Sequence, residues 1–328
     1  MIVLNFDAPD WISVRLSIAL SLAMRKPVTL PGAARVLDDT PHARALIGDI
    51  ETFLSCAGCG SIAVEEDAII FRPETIPGGR YRIASGPCAS AVELLLAMAP
   101  ALSMRDFQSR LTIRGVTHAS QSHPTVFLNE TLFQFTDALG FPFFSALVRY
   151  GFFGTGNGSL DAKIYPRTHT NDFSRFDEAV CSPTLALAGA RITVSKLPGD
   201  IAREEKRILS EGFGTPDERV SIIEVMDAAG PGHSVNAYLH SAIGAIVVTD
   251  TFDFFDATGE RIVDPARLGF DLQPFVDSVR AIIDTQRLPD FLLRELVPYC
   301  IIAGHTAPGM FENAPDAARD FAALQKLA

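Results

Sequence analysis

The sequence is short of several things, and each shortage excludes a class of protein. Positive charge is the first: 28 Lys and Arg stand against 39 Asp and Glu, a formal net charge of −11. A pI near 5.1 argues against a surface that coats nucleic acid, because such a surface needs excess cations to displace the counterions of phosphates. RNA is therefore not a favoured partner, and an anion would need a small local basic pocket. Long apolar runs are also missing. The best one, Val92 to Leu102, is broken by Glu93 and Pro100, whereas a membrane span needs about 18 or more apolar residues. The opening stretch, MIVLNFDAPDW, has neither the basic region nor the apolar core of a secretory signal. Cysteine is scarce and odd in number. Cys56, Cys59, Cys88, Cys181 and Cys300 are scattered, which fits reduced thiols and a cytoplasmic location better than a disulfide framework. Trp occurs once and Tyr five times, against 23 Phe; aromatic mass of this kind reads as packing, not as platforms on which bases stack.

What is present is ample apolar material. Of 328 residues, 48% are hydrophobic and 20% charged, enough for one large domain or two. Val14, Ile18 and Leu22 recur every fourth residue and predict a helix that Pro27 closes. Arg44–Leu54 reads as a second helix, Ala68–Phe71 as a strand, and Gly78–Gly79 as a hairpin turn into a strand at Tyr81–Ala84. The same grammar returns: a helix over Ser90–Ala99, a strand at Leu111–Gly115, a helix over Thr125–Leu139 stopped by Gly140, and strands at Phe144–Tyr150 and Leu160–Ile164. Recurrence at roughly 60–80 residues is compatible with a repeated α/β unit, but the similarity between units is too weak to establish a repeat by itself; sheets built this way with hairpins are mixed. Between Leu187 and Asp271 the order changes to β-α-β-β-β: Arg191–Leu197, Asp200–Glu211, Val220–Val225, Asn236–His240 and Ala245–Asp253. Helices over Pro274–Thr285 and Phe291–Ala303 follow. The compact β-α-β-β-β module reads as a second domain.

Several residues carry candidate chemistry. Cys56-x-x-Cys59 has no second pair to complete a structural zinc site, and reads as two thiols packed at a helix end. No metal site is expected. The richest polar stretch runs from Arg114 through Thr117 and His118 to His123, just beyond an apolar strand; strand ends are common binding positions, but the same residues suit a hydrogen-bonded turn before a helix. The Gly151–Gly158 turn lacks the Lys-Ser/Thr of a phosphate-binding loop and precedes a strand, so it reads as a hairpin connection. Gly230–Gly232 reads as a turn as well. Arg15, on the apolar first helix, either snorkels or pairs with an anion. His305 lies near the C-terminus with Glu312 and Asn313.

Five segments, taken in order, resemble the RNA 3'-terminal phosphate cyclase family. Ser13–Pro27 is similar to the family's first-helix stretch with I-L-R and a following L-S. Arg72–Pro100 resembles its R-P-G hairpin, G-S-A-G-S and helix, and Arg114–His118 resembles its G-G-T followed by H, D or N. Tyr150–Pro166 resembles its glycine-rich turn and strand, and Arg191–Glu204 with the later Gly230–His233 resembles its inserted small domain. The resemblance implies a mixed α/β fold in which repeated α/β units form a large domain, 1–186 with 272–328, carrying a small α/β domain inserted at 187–271, a fold shared with enolpyruvyl transferases; the module read above fits that insert. It also implies ATP and Mg²⁺ as cofactors, an RNA 3'-phosphate as substrate, and a C-terminal histidine that attacks the α-phosphate of ATP and is adenylylated.

The departures from that pattern bear on activity. The family's G-E-G-G-G-Q falls on Ala8-Pro-Asp-Trp-Ile12, and only its arginine persists, as Arg15. The helix glutamine falls on Leu96, the Asp-Gln pair on about Leu293–Glu295, and the nucleophilic histidine near Gly309. Glycine cannot replace imidazole as a nucleophile, so ATP-driven chemistry is not expected to be retained. The resulting expectation is a small anionic ligand, phosphate or carboxylate, held by Arg15, Arg114 and Thr117, with His118, His123 or His305 as catalytic groups. Two alternatives stand beside it. One is a non-catalytic scaffold for RNA processing, acting through a protein partner or as a homo-oligomer. The other is an active cyclase in which His305 takes over as the nucleophile.

Overall fold

The computed structural model describes residues 1–6, 8–39, 41–256, 260–263 and 271–328. The first unit runs β1 (Ile2–Val3), α1 (Trp11–Met24), β2 (Val28–Pro31), α2 (Ala33–Asp39), α3 (Pro41–Ala57), β3 (Gly60–Glu65) and β4 (Ala68–Pro73). Its sheet has the order β1-β2-β4-β3, with β1 parallel to β2 and the other pairs antiparallel. The second unit runs β5 (Arg80–Ala84), α4 (Ala91–Ser103), β6 (Ser109–Gly115), α5 (Thr125–Phe127), a π-helical turn at Leu128–Leu132, α6 (Phe133–Ala138), β7 (Phe143–Arg149) and β8 (Gly158–Ile164). Its sheet, β5-β6-β8-β7, repeats the order and the strand directions of the first. The protein is therefore a mixed α/β structure with a genuine structural repeat.

After α7 (Ser174–Cys181), the third sheet is drawn from β9 (Ala186–Ser195), α8 (Gly199–Phe213), β10 (Val220–Glu224), β11 (Gly232–Ser241) and β12 (Gly244–Phe252). Its order is β10-β9-β11-β12. Here the first strand in sequence sits inside the sheet and the second lies at its edge, unlike in the two repeats. The parallel pair β9 and β10 is joined through α8, as a parallel crossover requires. The C-terminal boundary expected near 271 adjoins 264–270, which lie outside the described residues. Helices α9 (Gln273–Thr285), α10 (Asp290–Ala303) and α11 (Pro315–Leu324) complete the chain. No described helix is long and apolar enough to cross a membrane.

One expected turn is not where the sequence pointed. Gly78–Gly79 does not close a hairpin between β4 and β5. Strand β4 already has antiparallel partners on both sides, β2 and β3, so β5 starts the next sheet, parallel to β6. The Gly151–Gly158 turn does join the antiparallel pair β7 and β8. It is tight for a steric reason: a Cβ on Gly151 would lie 2.3 Å from the Gly158 nitrogen and 2.7 Å from the Gly115 oxygen. Of the Cys56–Cys59 pair only Cys59 is buried; burial, with Glu74 nearby, pushes its thiol up to about 11.

Helices α1 and α4 form the centre of the core and pack on each other. Both are buried all round, as expected of helices with no polar stripe. The three serines of α1, Ser13, Ser17 and Ser21, are wholly buried and satisfy their hydroxyls locally or on Asp320: Ser17 Oγ donates to the Ser13 carbonyl at 2.7 Å, and Ser13 Oγ to Asp320 at 2.6 Å. Asp10 caps α1 by accepting from the Ser13 N–H at 2.8 Å, a contact worth about 1 kcal/mol. Arg25, in the left-handed conformation, ends the helix just before Pro27. This packing fixes the N-terminal turn of α1, and with it Asp10, Trp11 and Arg15, against α4 and α10.

Candidate functional site

A cavity of about 450 Å³ opens where the N-terminus of α1, the loop after β6, strand β12 and the start of α10 meet. Its lining includes Asp10, Trp11, Glu93, Ser120, Ser122, His123, Phe127, Thr249 and Phe291. That volume lies within the range of small-molecule sites. Beneath it sits an ion cluster in which one guanidinium faces two carboxylates. Arg15 Nε contacts Glu93 Oε2 at 2.6 Å, and Arg15 Nη2 bonds Glu295 Oε1. All three side chains are at most 5% exposed. Burial alone would lower the Arg15 pKa, but Glu295 and then Glu93 more than offset it, so its pKa is raised. Burial likewise opposes the charge on Glu295, but Arg15 and His123 win and hold this carboxyl well below its usual range.

His123 joins the cavity to the cluster. Its Nε2 lies 3.3 Å from Glu295 Oε1, and its ring stacks on Phe127 at 4.1 Å and approaches Phe291 at 5.7 Å. Glu93 Oε1 accepts from Ser122 Oγ at 3.3 Å and from the His123 N–H at 3.4 Å. The loop is fixed from outside as well: Asp253 accepts from the N–H and Oγ of Ser120 at 3.1 and 2.7 Å, and lies 3.5 Å from His42 Nε2. On the far wall, the π-helical turn lets Thr131 Oγ1 accept from the Val247 N–H at 2.8 Å, seating β12 on the second unit.

A second ion network lies beside the first. Arg294 holds Asp10 with both terminal nitrogens, at 2.8 and 2.7 Å, and Asp320 through Nε at 2.7 Å. Arg319 reaches Asp10 at 3.4 Å and Asp316 at 2.8 Å. Burial would raise the Asp10 carboxyl, but the Arg294 and Ser13 hydrogen bonds outweigh it and bring the pKa to about 2. Among the described residues lining the cavity there is no Lys or Arg; the nearby guanidiniums all face carboxylates.

The structure brings together only some of the residues the sequence singled out. Arg15 and His123 meet through Glu295. Arg114 does not join them: it is exposed on β6, whose neighbours are β5 and β8. Thr117 and His118 are buried and serve the fold. Thr117 Oγ1 accepts from the Gly151 N–H at 3.0 Å and lies 2.9 Å from His118 Nδ1. His118 lies against Tyr150 at 5.1 Å and Phe152 at 5.4 Å, and burial lowers its pKa to about 4. His305 belongs to another place: it bonds Asp177 at 2.7 Å and stacks on Phe173 at 4.1 Å. The expected anion pocket of Arg15, Arg114 and Thr117 is therefore not assembled. Arg15 is paired, Arg114 faces solvent, and Thr117 is spent on a backbone turn.

Sequence reasoning missed Trp11, Phe291 and both glutamates of the cluster. The signal for Glu93 was there: a carboxylate interrupting the most apolar run of the chain has to find a buried cation. Among the described residues, no group of three or more His, Cys, Asp or Glu could hold a metal ion.

Two repeated α/β units with a third, differently ordered sheet and a buried arginine on the first helix define the class of protein. The RNA 3'-terminal phosphate cyclase family description matches residues 13–308, and the chain belongs to that family. It is 27% identical over 194 residues to the RNA 3'-terminal phosphate cyclase of Koribacter versatilis (strain Ellin345). That alignment covers 59% of this chain and 53% of the relative, about half its length.

Proposed function

We propose that this family member binds a small molecule in the cavity beside Glu93 and His123 and does not pass a nucleotide through a covalent histidine. One observation carries the reading: the buried guanidinium of Arg15 is already ion-paired with both Glu93 and Glu295. A guanidinium whose charge is compensated by two buried carboxylates is a poor phosphate holder. Nothing else in the lining replaces it, because no Lys or Arg is among the described lining residues. The donor set does not fit a magnesium triphosphate.

The position of the imidazoles supports the same reading. The family's nucleophilic histidine falls near Gly309, which lies in a separate cavity with Cys181, Arg287 and Glu312. His305 is tied to Asp177 and does not line the Glu93 cavity. His123 does line it, and its contact with Glu295 orients the ring. That arrangement suits hydrogen bonding to a ligand or proton transfer.

The test is direct. The protein is incubated with α-labelled ATP and Mg²⁺, then run on a denaturing gel. No label is expected on the chain. Label that persists, and disappears in His305→Ala or His123→Ala, refutes the reading and assigns covalent nucleotidyl transfer to that histidine.

A further inference from the structure

We propose that the ligand of this cavity is an organic cation: an ammonium group on an apolar, ring-sized body with a hydrogen-bond acceptor nearby. The inference rests on the cavity being a binding site and adds the charge of what it takes. Three observations carry it.

The first is the charge inventory. Among the described lining residues, the carboxylates Asp10 and Glu93 face no Lys or Arg of the lining. Asp10 is matched by Arg294 and Arg319. Glu93 shares Arg15 with Glu295, so the buried cluster holds two carboxylates for one guanidinium. Unless one of its own groups takes up a proton, the cluster leaves one negative charge unbalanced in a desolvated place, where a charge without a partner is costly. A cation at Glu93 supplies that balance without a proton. A phosphate or carboxylate would add to the imbalance.

The second is the aromatic wall. Trp11, Phe127 and Phe291 all line the cavity, and Phe127 and Phe291 meet edge to face with centroids 5.9 Å apart. Ring faces attract ammonium groups and accept the apolar body behind them. The third is an orphan donor. Trp11 is 6% exposed, and its buried indole N–H has no hydrogen-bond partner among the described residues. An unpaired buried donor is costly, so a ligand acceptor that reaches it would stabilise the complex.

Trp11 is the single tryptophan of the chain, so its fluorescence reports the cavity directly. The probes are 2-amino-1-phenylethanol and benzylammonium, set against phenylacetate, phenyl phosphate and benzyl alcohol. Each is titrated by fluorescence and by calorimetry. The ammonium probes are expected to change Trp11 emission saturably, the amino alcohol more tightly than benzylammonium. Glu93→Gln is expected to weaken ammonium binding at least tenfold. It removes the excess negative charge yet leaves Arg15 paired with Glu295, so the protein should remain folded. Phe291→Leu, followed by calorimetry, checks the wall independently and should also weaken ammonium binding. Tighter binding of phenylacetate or phenyl phosphate, or ammonium binding indifferent to both substitutions, overturns the charge assignment and leaves the cavity standing as a site. Absence of binding by every probe at millimolar concentration overturns the assignment and the cavity reading together.

Discussion

Replacing Arg15 by methionine tests the buried cluster most severely. The substitution keeps an unbranched side chain on α1 but removes the guanidinium that faces Glu93 and Glu295. Breaking a buried pair by deleting one partner costs about 3–5 kcal/mol, and here two carboxylates lose their cation at once. Against a total stability of about 5–15 kcal/mol for a typical domain, the variant should be severely weakened at neutral pH. Its pH dependence identifies the cause. In the native protein the Glu295 carboxyl lies below its unfolded value, because Arg15 and His123 overcome the opposing effect of burial. A depressed carboxylate contributes stability above its unfolded pKa of about 4.3 and loses that contribution as pH falls through the folded value. Without Arg15, burial acts unopposed by the guanidinium and Glu295 becomes proton-binding in the folded state. The deficit of Arg15→Met should therefore be largest near pH 7 and shrink toward about pH 5. Urea unfolding followed by Trp11 emission and far-ultraviolet circular dichroism measures it. Adding Glu295→Met to Arg15→Met should recover part of the loss, because a buried pair can be exchanged for apolar residues at little cost. A deficit under about 1 kcal/mol, as for a surface pair, or one that does not change with pH, would refute the account.

Other consequences of the structure can be checked alongside. His118 is fully buried with its pKa lowered to about 4, so the unfolded chain binds the proton more tightly, and stability should fall as pH drops from 6.5 towards 4. The pKa difference corresponds to an upper bound on the order of 3 kcal/mol; urea midpoints of the wild type and His118→Gln at two pH values should show this dependence in the first and lose it in the second. His305→Ala should lower thermal stability only slightly, because its pair with Asp177 is partly exposed, and should leave ligand-induced changes in Trp11 emission intact. Gly151→Ala should cost about 2 kcal/mol or more, read as a fall in melting temperature, since its Cβ would collide with the backbone of Gly158 and Gly115.

Many helices and strands were legible because their signals are local, whereas β1, β2, β3, α2, α7 and α11 were not read from the sequence. The four-residue spacing of Val14, Ile18 and Leu22 marks α1, and a fourteen-residue helix is found at Trp11–Met24. The β-α-β-β-β order read between 187 and 271 matches β9, α8, β10, β11 and β12. The Gly78–Gly79 turn misled because two glycines between strands mark a change of direction without saying which sheet receives the second strand. His118 and His123 show the same division. Five residues apart in one polar loop, they look equivalent in sequence. One is sealed against Tyr150 and Phe152; the other lines the cavity beside Glu295.

Composition, periodicity and an ordered set of weak motifs were enough to specify an α/β repeat protein and its family, since each depends on neighbours along the chain. Which charges meet depends on neighbours in space. Arg15 and Glu295 are separated by 280 residues, and only the packing of α1 on α4 and α10 turns a presumed anion-binding arginine into the counter-ion of two glutamates. Tertiary structure decides this because a buried charge must find its partner wherever the core places one.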